Sequence, residues 1–108
     1  MNSLLASSLM REVKYRPSAM AQLEQISDQT IAEWGEVQAK AYVQNIRRQI
    51  AMAAEFPGIG SSAHGLSPDY RKVRAGVHRV IYRHSETELI VVRIIHERQD
   101  VAGELDEV

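Results

Sequence analysis

The sequence predicts an α+β fold: an N-terminal strand, then an antiparallel helical hairpin packed on an antiparallel β-sheet, in the order β-α-α-β-β-β. Three observations carry this. Two stretches with helical apolar spacing meet at Gly35, three β-rich runs with turn signals between them fill residues 70–96, and the spaces between elements are short. At 108 residues the chain makes one domain, large enough to bury roughly 65% of the surface its unfolded form exposes.

The run Glu12-Val-Lys-Tyr-Arg16 alternates polar and apolar residues and stops at Pro17, which favours an extended Arg16 and suits the first position of a helix. Ala19, Leu23, Ile26, Thr30 and Trp34 then fall on one helical stripe, with Trp34 assigned to the packing of the hairpin. Gly35 ends that helix, since glycine tolerates the backbone conformations that close one. A second helix starts at Glu36, carries Ala39, Val43, Ile46, Ile50 and Ala53 on one stripe, and ends before Pro57-Gly58. So short a connection makes the helices antiparallel neighbours. Residues 58–69 read as one long loop, and 70–75, 78–83 and 89–96 as strands joined by Ala75-Gly-Val and Ser85-Glu-Thr-Glu. In the last run Ile90, Val92 and Ile94 alternate with Leu89, Val91, Arg93 and Ile95, so both faces are apolar and the strand is central. Arg93 is its exception and calls for a carboxylate, with Glu97 or Asp100 within reach along the chain.

Charge is unevenly placed although the net formal charge is only −1. Residues 1–57 hold six basic and six acidic side chains, 70–84 hold five basic and no acidic ones, and 99–108 hold four acidic and no basic ones. A localised basic face on the sheet follows, built from Arg71, Lys72, Arg74, Arg79 and Arg83, and a negatively charged partner for it. There is no cysteine, which excludes disulfides and thiolate metal sites and fits a reducing cytoplasm. His64, His78, His84 and His96 lack short ligand spacing, so neither a metal nor another cofactor is expected. The apolar run in residues 1–11 is too short to cross a membrane and reads as a loose leader.

Taken in register, Trp34-Gly35-Glu36, Phe56-Pro57, Tyr70-Arg71, Val73-Arg74-Ala75-Gly76, Val80-Ile81-Tyr82-Arg83, and Val92-Arg93-Ile94-Ile95-His96 with Arg98 and Asp100 resemble the ParE toxins of the RelE/ParE toxin superfamily. The resemblance spans residues 12–105, leaving 106–108 as an acidic end. It implies the toxin of a type II toxin-antitoxin pair, with roles in plasmid stabilisation and growth arrest. A ParD-like antitoxin would neutralise it, DNA gyrase would be the target, and no sequence-specific nucleic-acid binding would be involved. Contact with antitoxin or target falls to Arg71, Arg74, Arg79, Arg83 and Arg93. The alternative within the superfamily is a RelE-like ribosome-dependent mRNA endoribonuclease, for which Arg74, Arg93 and His96 are the candidate groups; a third reading is an inactive antitoxin-binding relative. Ribonucleolysis needs a base, a cation and an acid close together. Residues 99–108 hold no aromatic or histidine, and Lys72 is the only lysine after Lys40, which favours a non-catalytic inhibitor. His96, following an apolar strand, also has a plain structural reading as a hydrogen-bonding group at the sheet end.

Overall fold

The computed structural model describes residues 11–63 and 65–99. Strand β1 (Glu12–Tyr15) leads into helix α1 (Pro17–Trp34), then helix α2 (Glu36–Glu55). A 3-10 turn at Pro57–Ile59 follows, then β2 (Ser61–Ser62), β3 (Arg71–Ala75), β4 (His78–His84) and β5 (Glu88–His96). The five strands form one sheet in the order β1-β5-β4-β3-β2. The helical hairpin on a sheet matches the expected architecture, but the sheet expected to be antiparallel is mixed and gains the short edge strand β2. β1 pairs with β5 in parallel, Glu12 facing Glu88 and Tyr15 facing Val91, because the whole hairpin serves as the crossover that a parallel pair requires. Within the predicted loop, Ser61 and Ser62 pair antiparallel with Lys72 and Arg71.

The helices form where the apolar spacing places them. Ala19, Leu23 and Ile26 of α1 and Ala39, Ile46, Ile50 and Ala53 of α2 are buried, and they meet Val73, Val80, Tyr82, Leu89, Val91 and Ile94 of the sheet in one core. Gly35 closes α1 at φ +90 and passes its N–H to the Ile31 carbonyl at 2.9 Å. Thr30 turns its hydroxyl back onto the Ile26 carbonyl at 2.7 Å. Trp34, expected to pack in the hairpin, is instead 65% exposed at the last position of α1.

The face assignment in β5 differs from simple alternation. A register shift falls between Ile81 and Tyr82: Ile81 pairs with Arg93 but Tyr82 pairs with Val91. Val92 is the extra residue of a β-bulge, and every side chain beyond it changes face relative to a regular strand. Leu89, Val91 and Ile94 therefore point to the helices. Ile81 and Ile95 lie in a second, smaller cluster with Ala63, Leu66 and Tyr70 on the other face.

β1 ends at Tyr15, opposite Val91, and from there the start of α1 takes over the open edge of β5. The Arg16 N–H bonds the Val91 carbonyl at 3.0 Å, and the Gln22 amide oxygen accepts the Ile94 N–H at 2.8 Å. A side chain thus occupies an edge that another strand would otherwise be free to pair with. The loose leader expected at 1–11 and the acidic end at 106–108 lie outside the described residues apart from Arg11. Its guanidinium donates to the Ser85 carbonyl at 2.6 Å and the Ala54 carbonyl at 3.3 Å, tying the start of the domain to both layers.

Candidate functional site

The basic run is sorted by the alternation of β3 and β4. Val73, Val80 and Tyr82 face the helices, so Lys72, Arg74, Arg79 and Arg83 share the outer face with Ile81. Arg74 and Arg79 are directly opposed across the two strands, a repulsive arrangement. Arg74 is relieved by Glu97, whose carboxylate lies 2.9 Å from its guanidinium. Arg83 is stacked over Tyr70, 5.4 Å from the ring centroid. Among the described residues Lys72, Arg79 and Arg83 have no ion-pair partner. The outer face thus carries four cations over the buried Ile81 and Ile95, three of them without a counter-charge among the described residues.

Arg71 stands apart from this set. It pairs with Tyr82 on the helix side and gives its guanidinium to the Gly60 carbonyl at 2.6 and 3.1 Å and to Gly58 at 3.5 Å. It holds the turn after α2 and does not point into the basic face. Arg93 is 6% exposed. It donates to the Ser18 hydroxyl in the first turn of α1 and to the Val92 carbonyl at 2.9 Å. No carboxylate among the described residues pairs with it, because Glu97 is taken by Arg74 and Asp100 lies outside them. Of the two carboxylates expected for Arg93, Glu97 is engaged elsewhere, and the described partners are the neutral oxygens of Ser18 and Val92.

His96 lies on the opposite face from Arg74 and Arg93. It shares the helix side with Ile94 and stands directly across from His78. The two rings meet edge to face with centroids 5.6 Å apart, and His78 makes a similar contact with Tyr42 of α2. The Tyr42 hydroxyl bonds His78 Nδ1 at 2.7 Å and accepts the Val77 N–H at 3.0 Å. Burial, and secondarily the neighbouring His96, hold the His78 imidazole below its ordinary value of 6.5, with Glu97 acting the other way. These rings floor a cleft of about 650 Å³ between the hairpin and the β3–β4 turn, rimmed by Gln29, Trp34, Gln38 and Val77. Arg74, Arg93 and His96 therefore do not converge on one point, and the base, cation and acid of a ribonuclease are not assembled from them. Sequence reading missed the Tyr42–His78–His96 cluster, since its members lie on three elements.

The family-level comparison settles the class. The model of the ParE toxin of the type II toxin-antitoxin system parDE matches residues 13–101. The chain belongs to the ParE toxin family. Toxin ParE1 of Mycobacterium tuberculosis is 42% identical over 86 residues, covering 79% of this chain and 88% of that protein. Toxin ParE1 of Caulobacter vibrioides is 29% identical over 96 residues, covering 89% and 99%. Among solved structures, the chromosomal ParDE toxin-antitoxin system from P. aeruginosa superposes with a TM-score of 0.68 at 22% identity, over 82% of this chain and 97% of that one, a likeness of fold. As a ParE-like toxin, the chain presents its family fold with the outer basic face and the helix-side cleft on opposite sides of one sheet. No described helix is long and apolar enough to cross a membrane.

Proposed function

We propose that this ParE-family toxin is held inactive by a ParD-type antitoxin and acts in the cytoplasm, without catalysis, by binding DNA gyrase. The family match over residues 13–101 carries the reading. The outer face supports it: Lys72, Arg79 and Arg83, without ion pairs among the described residues, offer attachment for an acidic protein segment, with Arg74 beside them and the buried Ile81 and Ile95 fixing the strands that carry them. An acidic antitoxin segment that orders on binding would pair its carboxylates with these cations. Of the five arginines marked in the sequence, Arg74, Arg79 and Arg83 are the contact candidates, while Arg71 is committed to the turn after α2 and Arg93 is buried against Ser18 and Val92.

Induced expression in a bacterial host tests the reading. Growth stops, transcripts stay intact, and co-expression of the ParD-type protein encoded beside the toxin restores growth. Normal growth with soluble toxin present, or codon-linked cuts in messenger RNA, overturns it.

A further inference from the structure

We infer that His96 is an acid-sensitive latch on the turn that leaves β5: its neutral imidazole holds residues 96–99 closed, and its protonation releases the Arg98 end. His96 Nδ1 accepts the Arg98 N–H at 3.1 Å, which takes a lone pair on that atom and puts the proton of the neutral ring on Nε2. The His96 N–H donates to the Gln99 side-chain oxygen at 2.7 Å, and the Gln99 N–H donates to the His96 carbonyl at 2.9 Å, so one residue holds the turn from three of its atoms. A proton taken up by the ring enters only at Nδ1. It then meets the Arg98 N–H donor to donor, and that bond is lost. His96 and Gln99 also wall a recess of about 260 Å³ with Gln22, Gln25 and Gln29 of α1, so release of the turn loosens the helix side of the sheet at the end of β5.

His78, the cross-strand partner, responds differently. The Glu97 N–H donates to the Val77 carbonyl at 2.8 Å, so His78 and His96 take the neighbouring non-hydrogen-bonded position, where opposed side chains stand closest, and their ring centroids are 5.6 Å apart. His78 Nδ1 lies 2.7 Å from the Tyr42 hydroxyl, which accepts the Val77 N–H and can turn its own proton either to that nitrogen or to the Ala75 carbonyl at 3.3 Å. Tyr42 thus remains a partner for His78 in either form, whereas the backbone N–H against His96 can only donate. Burial disfavours charge on His78, and a charge on one ring repels a charge on the other. Among the described residues the other titratable or charged side chains around the pair are Glu33 of α1 and Tyr42 of α2 on the cleft, Glu97, which is held by Arg74, and Arg98 in the turn itself. None of them offers His96 Nδ1 an acceptor that would replace the lost bond.

Nitrogen NMR of the full chain from about pH 8 to about pH 5, with amide exchange referred to an unfolded peptide at each pH, tests the latch. At the upper end the His96 proton sits on Nε2. As the ring gains its second proton, Arg98 amide protection falls at least about threefold with the same midpoint, while the Gly35 amide, bonded to the Ile31 carbonyl, keeps its protection. His96→Asn offers the Arg98 N–H an uncharged side-chain oxygen, as asparagine does in turns, and makes Arg98 protection independent of pH. His78→Gln leaves the Arg98 transition in place. The inference is overturned if the neutral His96 ring carries its proton on Nδ1, or if Arg98 protection stays constant while His96 titrates in the unmutated chain. It is equally overturned if the transition persists in His96→Asn or vanishes in His78→Gln.

Discussion

The Tyr82 hydroxyl donates to the Pro57 carbonyl at 2.6 Å and accepts the Gly60 N–H at 3.2 Å, so one side chain in β4 holds the turn that leaves α2. Tyr82→Phe keeps the ring in the core and strands both backbone groups, costing about 1–3 kcal/mol in denaturant unfolding. Burial raises the Tyr82 hydroxyl above its ordinary 10.0. The unfolded chain then loses this proton first, so the stabilising share is complete below pH 10.0 and falls as pH rises through the folded value. Unfolding curves taken from about pH 8 to pH 11 should show a shallower alkaline loss in Tyr82→Phe, with Tyr15, raised by its own burial, keeping part of the slope. Arg71 completes the same turn. Arg71→Ala should cost about 1–2 kcal/mol, whereas Arg79→Ala, which breaks no bond among the described residues, leaves the melting temperature within a degree or so. In the sequence these two arginines look alike. What separates them is which face of β3 or β4 each occupies, and alternation assigns a face only once the neighbouring core residues are known.

At the scale of elements, the helices follow directly from spacing: Leu23 and Ile26, then Ile46 and Ile50, are buried where their stripes put them. The bulge at Val92 does not. A run of Leu, Ile and Val on both faces of β5 carries no mark of an extra residue, since either register buries apolar side chains. Its consequences reach beyond the core, because in a regular register with Val92 paired to Ile81, His78 would stand opposite Ile95 and not opposite His96. The short turn from β3 to β4 was readable, and the structure adds why Gly76 is required. It adopts φ +60, and a Cβ there would lie 2.6 Å from the Tyr42 ring, whereas one at Gly58 would meet nothing within 4 Å. Gly76→Ala should therefore destabilise by about 2–4 kcal/mol and displace Tyr42 from His78, while Gly58→Ala stays near neutral; thermal melts of both variants compare them.

The whole molecule is a two-sided sheet, with helices, cleft and histidines on one side and cations on the other. Charge separation along the chain announced the basic side, and family resemblance announced the toxin; the cleft arises from the hairpin overhanging the sheet end and was invisible before folding. Joint replacement of Arg79 and Arg83 by Glu should weaken ParD-type antitoxin binding by ~100-fold, flatten its salt dependence and leave the fold intact, as read by calorimetry at two ionic strengths. Both substitutions sit on the outer face, away from the turn held by Tyr82 and Arg71. The most direct test of the account is a supercoiling assay with purified gyrase and purified toxin. The account predicts loss of supercoiling with accumulation of cleaved DNA, reversed when the antitoxin is added first; undiminished supercoiling at toxin concentrations that arrest growth would contradict it.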